Sequence, residues 1–253
     1  MKRNTSMYLL VSFLIVFIVV PFELSAQRKI TFYASDGLEV TADFYIYDSG
    51  APYIILLHQE NSSRGEYREI APKLQKMGFN CLAIDMRSGK ESNYVQNETS
   101  ALAQKKNISA SLLDCEIDIR AAINYVEKNA VGKNLYILLG SSFSASLALK
   151  IANQNRNAAA VIAFSPGEYF TPISVKDWLK DFNRLVYVTS TKRGQPFVLE
   201  LMNDIPAQYI TVFQQQGEGV HGAQALWNNN PNANDLWMSL MIFINKVKEE
   251  KYK

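Results

Sequence analysis

Histidine and cysteine are scarce in this sequence, with two of each in 253 residues. His58 and His221 stand far apart, and no metal-ligand spacing joins them to Cys81 or Cys115, so no structural zinc or other metal site is expected. An excess of one charge is missing too. The 26 Lys and Arg face 24 Asp and Glu, a formal charge of +2, and the basic residues are scattered. That pattern points to neither nucleic acid nor an anionic membrane surface as a partner. The apolar run from Tyr8 to Val20 is shorter than the ~20 residues a helix needs to cross a bilayer. Repeats and linkers are lacking as well, so one domain is expected. Two cysteines permit one disulfide, but Cys81 falls in a strand pattern and Cys115 on the apolar seam of a helix. Two buried thiols are the better reading.

What is present begins with an address. Lys2 and Arg3 precede the apolar run, and Leu24-Ser25-Ala26 follows it. A basic start, a short apolar stretch and a small final residue describe a secretory signal peptide over residues 1–26, cut after Ala26. The expectation is an exported protein, periplasmic or extracellular, with no stable membrane insertion after cleavage. Residues 27–253 then form a single domain.

Lys29 to Ser35 and Leu38 to Tyr47 flank Asp36-Gly37 and read as an antiparallel hairpin. Tyr53 to His58 and Asn80 to Asp85 are short apolar runs, the kind buried on both faces of a sheet. Between them Glu66 to Met77 has helical spacing, and Gly78 closes it. Met86 to about Lys106 is polar and patternless and is read as a long loop flanking a site. Leu112, Cys115, Ile119, Ala122 and Val126 form the seam of a helix that ends near Gly132. Further strands are expected at Ala158–Ser165, Leu185–Ser190 and Tyr209–Phe213, with helices at Val175–Phe182 and Pro196–Asn203. A closing helix carries Leu236, Trp237, Leu240, Met241, Ile244 and Val247. Such alternation predicts an α/β fold, a mainly parallel sheet with helices on both faces. Sites in such sheets lie beyond the carboxyl ends of the strands.

The stretch from Asn134 to Asn153 stands out. An apolar run, Leu135 to Leu139, meets a turn of tiny residues and then a helical face of Leu147, Ala148, Ile151 and Ala152. Gly140-Ser141-Ser142-Phe143-Ser144 follows the G-x-S-x-G strand-turn-helix elbow, with Ser144 replacing the second glycine. Residues two before and two after the apex lie where strand and helix nearly touch and must be small. Ser142 is therefore the candidate nucleophile. The plainer reading is a serine-rich turn that caps a helix.

Four segments in order resemble the α/β-hydrolase superfamily, and within it the lidless dienelactone-hydrolase-like or esterase type. They are LLHQ at 56–59, IDMRSGKES at 84–92, GSSFS at 140–144 and VHG at 220–222. The resemblance covers most of Lys29 to Lys248. It implies a serine hydrolase that needs no cofactor, and an α/β-hydrolase fold. In that fold the acid and then the histidine follow the nucleophile in the chain. His221 then takes the Ser142 proton and passes it to the leaving group. Backbone N–H groups of Gln59 or Glu60 and of Phe143 donate to the oxyanion. His58 shapes that loop, and Asp85 and Arg87 are read as a structural pair.

The acid is the gap in the resemblance. Thr191-Lys192-Arg193-Gly194-Gln195 follows the expected strand without a carboxylate. Glu168, after the preceding strand, is the candidate, with Asp204 and Glu218 as outsiders. A site with no acid at all is the remaining possibility. In serine proteases loss of the acid costs about 10⁴ in turnover, roughly 5.5 kcal/mol of barrier.

Two functions follow. One is an exported serine hydrolase that cleaves a small carboxylic ester through a Ser142 acyl-enzyme, in a shallow pocket roofed by the Met86–Lys106 loop and the Phe170–Ile173 region. The other is a catalytically impaired hydrolase fold that binds a ligand or a partner. Substrate identity and oligomeric state have no signature in the sequence.

Overall fold

A computed structural model describes residues 27–131 and 135–252. The expected signal peptide, residues 1–26, and the helix stop at Gly132 lie outside the described residues. Eight strands form one sheet. They are β1 (Gln27–Tyr33), β2 (Glu39–Tyr45), β3 (Tyr53–Leu57), β4 (Asn80–Ile84), β5 (Tyr136–Ser141), β6 (Ala158–Phe164), β7 (Leu185–Ser190) and β8 (Ile210–Gln214). Their spatial order is β1-β2-β4-β3-β5-β6-β7-β8. The β1–β2 and β2–β4 pairings are antiparallel, and the rest are parallel. This is the hairpin-led, mainly parallel α/β sheet that the alternation predicts.

The helices are α1 (Ala71–Lys76), α2 (Glu98–Lys105), α3 (Cys115–Asn129), α4 (Phe143–Gln154), α5 (Val175–Trp178), α6 (Gln195–Leu201) and α7 (Ala233–Lys251). Residues of α3, α4, α5 and α6 pack on one face of the sheet and those of α1 and α7 on the other. Every residue of β3, β4, β5, β6 and β7 is buried, as continuous apolar runs require when both faces are covered. Each Ile or Leu so buried contributes roughly 1.5–3 kcal/mol relative to exposure.

Three expectations change. The segment from Glu66 to Met77 is a 3-10 turn, Arg64–Tyr67, followed by a helix that starts only at Ala71, with Pro72 in its first turn. The Met86–Lys106 segment carries α2, which Asn97 caps by accepting the Ser100 N–H at 2.8 Å. Its apolar face is too thin to give a periodic signal. Asp85 and Arg87 do not pair with each other. Asp85 pairs with Arg64, whose guanidinium also reaches Asp43 and Glu98. Arg87 bridges Asp118 (2.8 Å) and Asp36 (2.7 Å). Positions two apart on a strand share a face, but β4 ends at Ile84, and beyond it Asp85 turns to the 3-10 turn while Arg87 turns to α3 and to the turn between β1 and β2. Cys81 and Cys115 are free, buried thiols in the hydrophobic layers on opposite faces of the sheet. Burial raises both thiol pKa values.

Among the described residues no helix is long and apolar enough to cross a membrane.

Candidate active site

Ser142 stands between β5 and α4 with φ +61° and ψ −126°. An L-residue at positive φ is sterically strained, by about 1–3 kcal/mol, and persists only where its surroundings over-determine it. Here they do. The Ser142 N–H donates to Phe164 of β6 (2.8 Å), and its carbonyl accepts the Ala145 N–H (2.9 Å). A Cβ on Gly140 would lie 2.5 Å from Ala145 Cα, so only glycine lets the helix return over the strand. Ser144 does more than fit. Its hydroxyl accepts the Ser141 N–H (2.9 Å) and donates to the Leu57 carbonyl (2.8 Å), tying β3 to the elbow. A serine in place of the second glycine thus adds a polar tie to the Leu57 carbonyl, which also accepts the Tyr67 hydroxyl at 2.6 Å.

Among the described residues the Phe143 N–H, at the first position of α4, has no hydrogen-bond partner, and neither has the Glu60 N–H. The Gln59 N–H is different. It donates to Glu66 Oε2 at 2.8 Å and is committed to that carboxylate. Of the two donors expected after β3, Glu60 is the one left open. His58 is fully buried; its Nδ1 meets the Gln59 carbonyl at 2.7 Å and its Nε2 accepts the Met86 N–H at 2.9 Å. Both ring nitrogens are therefore used in a neutral tautomer, and burial pushes the pKa down to about 4. It latches the loops after β3 and β4, as the sequence suggests.

His221 lies on the loop after β8 and reaches the surface. Burial of part of the ring lowers its pKa below the usual histidine value, which favours the neutral, proton-accepting form. Among the described residues the imidazole has no hydrogen bond. Its backbone, by contrast, is pinned on both sides. The Gln215 amide pairs with the Val220 N–H (2.8 Å) and carbonyl (2.9 Å). The Gly222 N–H donates to Ser165 Oγ (3.1 Å) and the Ala223 N–H to Ser141 Oγ (2.8 Å). These bonds bring the histidine loop to the strand end that carries Ser142. Gly222 has φ +70°, and a Cβ there would lie 2.4 Å from Ser141 Oγ.

Glu168 is turned elsewhere. Its carboxylate accepts the Val175 and Lys176 (3.0 Å) N–H groups and so caps the first turn of α5. The outsiders are also spent at the surface, Asp204 near Lys176 (3.6 Å) and Glu218 near Lys192 (3.9 Å). After β7 the Ser190 hydroxyl lies 3.5 Å from that of Ser165. None of these carboxylates is hydrogen-bonded to His221.

Sequence reasoning missed three residues here. Tyr169 donates its hydroxyl to the Ser165 carbonyl (2.9 Å) and meets the Ser142 hydroxyl. Burial raises its pKa, and the contact with Ser142 opposes that shift. Ser141 and Glu66 form a buried bond of 2.7 Å under the elbow. A lone tyrosine in a loop and a glutamate before a helix carry no pattern that would have marked them. Beside the start of α4, where Ser146 Oγ donates to the Gly167 carbonyl (2.8 Å), lies a cleft of about 290 Å³. Gly167, Phe197, Leu201 and Lys176 are among its walls, and a separate, wider hollow of about 700 Å³ is lined by Gly89, Lys90, Ser100 and Gln104 of the Met86–Lys106 segment. Among the described residues no group of His, Cys, Asp and Glu could hold a metal ion.

Comparison with known proteins bears on the family and the fold. The family model described as "Dienelactone hydrolase family" matches residues 45–205. The fold is similar to that of an esterase from Pyrococcus furiosus (TM-score 0.64, 14% identity, covering 87% of this chain and 92% of that one). It is also similar to a dienelactone hydrolase from Anabaena variabilis (TM-score 0.63, 13% identity, 87% and 97% covered). A third likeness is to Est1E from Butyrivibrio proteoclasticus (TM-score 0.64, 14% identity, 87% and 99% covered). No curated protein sequence matches the chain.

Proposed function

We propose a mechanism for this chain from one premise: it belongs to the dienelactone hydrolase family. The chain is a serine esterase. The observation that carries this reading is the backbone of Ser142, held at φ +61° at the apex of a strand-turn-helix elbow. His221 accepts the Ser142 proton as Oγ attacks the ester carbonyl. The Phe143 and Glu60 N–H groups donate to the resulting oxyanion. The alcohol leaves with the proton from His221, and water, activated by the same imidazole, releases the acid from the acyl-enzyme. The atoms balance without a cofactor.

The cleft beside α4 suits the apolar part of a small ester, with Phe197 and Leu201 as its walls. Export is part of the same proposal and rests on Lys2, Arg3, the Tyr8–Val20 run and Ala26. The test is labelling of the protein with a fluorophosphonate probe beside a Ser142→Ala control. Labelling that vanishes in the control supports an activated serine, and equal labelling in both sinks this reading. A second reading, a silent ligand binder, has one observation in its favour: no described carboxylate orients His221. Folded protein that takes no label and turns over no ester would select it.

A further inference from the structure

Glu66, on the 3-10 turn after β3, is fully buried beneath the site. Its two carboxylate oxygens serve different elements. Oε1 accepts the Ser141 hydroxyl at 2.7 Å, and Oε2 accepts the Gln59 N–H at 2.8 Å. The Ser141 oxygen in turn accepts the Ala223 N–H at 2.8 Å, and the Glu66 main-chain carbonyl accepts Trp227 Nε1–H at 2.8 Å. One residue thus reaches the loop after β3, the strand end that carries the nucleophile and the loop that carries the histidine. Ser141 is covalently next to Ser142, and Ala223 is two residues from His221.

We propose that Glu66 is the positioning residue of the site, holding the Ser142 elbow and the His221 loop at a working separation through Ser141. The inference rests on the Ser142–His221 reading above. It assigns to a carboxylate under the site part of the orienting task for which no carboxylate stands beside the imidazole.

The bonding requires an acceptor-only group. The Gln59 N–H and the Ser141 O–H both donate toward Glu66, and an ionised carboxylate accepts both. With its proton given to Glu66, Ser141 keeps both lone pairs as acceptors, and one of them takes the Ala223 N–H. A protonated or amide side chain puts a donor against one of these donors, and the chain of bonds to Ala223 loses its direction. The groups packed around the carboxylate are uncharged: Gln59 and Ser62 from the loop after β3, Ser141 from β5, and Ala223 and Trp227 from the histidine loop. The titratable neighbour is the Tyr67 phenol, which donates to the Leu57 carbonyl at 2.6 Å. Among the described residues no cation pairs with Glu66. Burial of the charge raises its pKa to about 7, against which the hydrogen bonds from Ser141 and Gln59 work.

The sign follows. Above pH about 7 Glu66 is ionised and the donors are aligned, and as pH falls through about 7 the alignment is lost. His221, depressed below 6.5, is still neutral across that window. The acid limb of activity is therefore set near pH 7 by Glu66, above the value at which His221 would set it. Stability runs the other way. A raised carboxylate pKa contributes stability that is complete below the unfolded value of about 4.5 and is lost as pH rises through about 7.

The experiment is the pH profile of kcat/KM with p-nitrophenyl acetate for the wild type, Glu66→Gln and Ser141→Ala, each also labelled with a fluorophosphonate. The wild type should show an acid limb near pH 7. Glu66→Gln should lose about 10- to 100-fold in kcat with KM nearly unchanged, and its limb should move below pH 6.5. Ser141→Ala, which keeps the carboxylate but cuts the tie to Ala223, should lose kcat in the same direction. A wild-type limb below pH 6.5, or Glu66→Gln with full kcat, overturns the proposal while Ser142 labelling leaves the esterase reading standing. A wild type that neither labels at Ser142 nor turns over ester overturns both.

Discussion

The two halves of the site are held in different ways. On the serine half the backbone defines everything: Gly140 admits the returning helix, Phe164 and Ala145 clamp Ser142, and the Ser144 hydroxyl ties the elbow to β3. On the histidine half the backbone is equally pinned, by Gln215, Ser165 and Ser141, but the imidazole itself is free of hydrogen bonds among the described residues. A nucleophile can be activated by where the chain puts it. A base needs its ring aimed as well, and the bonds around His221 fix only the loop that carries it.

Changes on either half break this contrast in graded ways. Ser142→Ala has the largest expected effect, a loss of about 10⁴–10⁶ in kcat, measured with an activated ester. Ser142→Gly should lose the same activity yet raise unfolding free energy by about 1 kcal/mol in urea, because glycine accepts positive φ without strain. His221→Ala should cost about 10³-fold or more in kcat and shift stability by less than ~0.5 kcal/mol, since the ring has no partner to lose. Large losses of activity on both halves, with a change in stability only for Ser142→Gly, would be the signature of the two modes of support. Gly222→Ala comes next, with about 1–3 kcal/mol of destabilisation and a fall in kcat, from the crowding of Ser141 and the positive φ. Glu168→Gln is smallest, roughly 0.5–1 kcal/mol in thermal unfolding through the weakened cap of α5 and less than about twofold in kcat. A 10⁴-fold loss there would restore Glu168 as the acid and dissolve the contrast.

Much of the serine half was legible in the sequence because its constraints are local. Gly140 and Ser142 are two residues apart on one turn, and steric size at fixed spacing is what a sequence displays directly. The buried strands were legible for a similar reason, since YIILL and NCLAI are continuous apolar runs. The failures are long-range. Glu168 was chosen for its place in the chain, but whether its carboxylate turns to His221 or to the α5 N-terminus depends on the path of the connection between β6 and α5. Gln59 was read as an oxyanion donor from its place after β3, yet its N–H direction is set by Glu66. Asp85 and Arg87 were neighbours in sequence and partners of different residues in space. Nothing in a linear pattern encodes such choices between competing partners.

The two thiols offer a different use of this architecture. Cys81 and Cys115 are sealed in opposite layers, one on β4 in the layer of α1 and α7, the other at the start of α3 in the layer it shares with α4. An alkylating reagent reaches each only when its own layer opens. Their rates of modification under native conditions therefore serve as two separate clocks on the same molecule. Identical rates mean that the helical layers leave the sheet together, and a faster Cys115 means that the layer carrying α4 peels away while α7 stays docked.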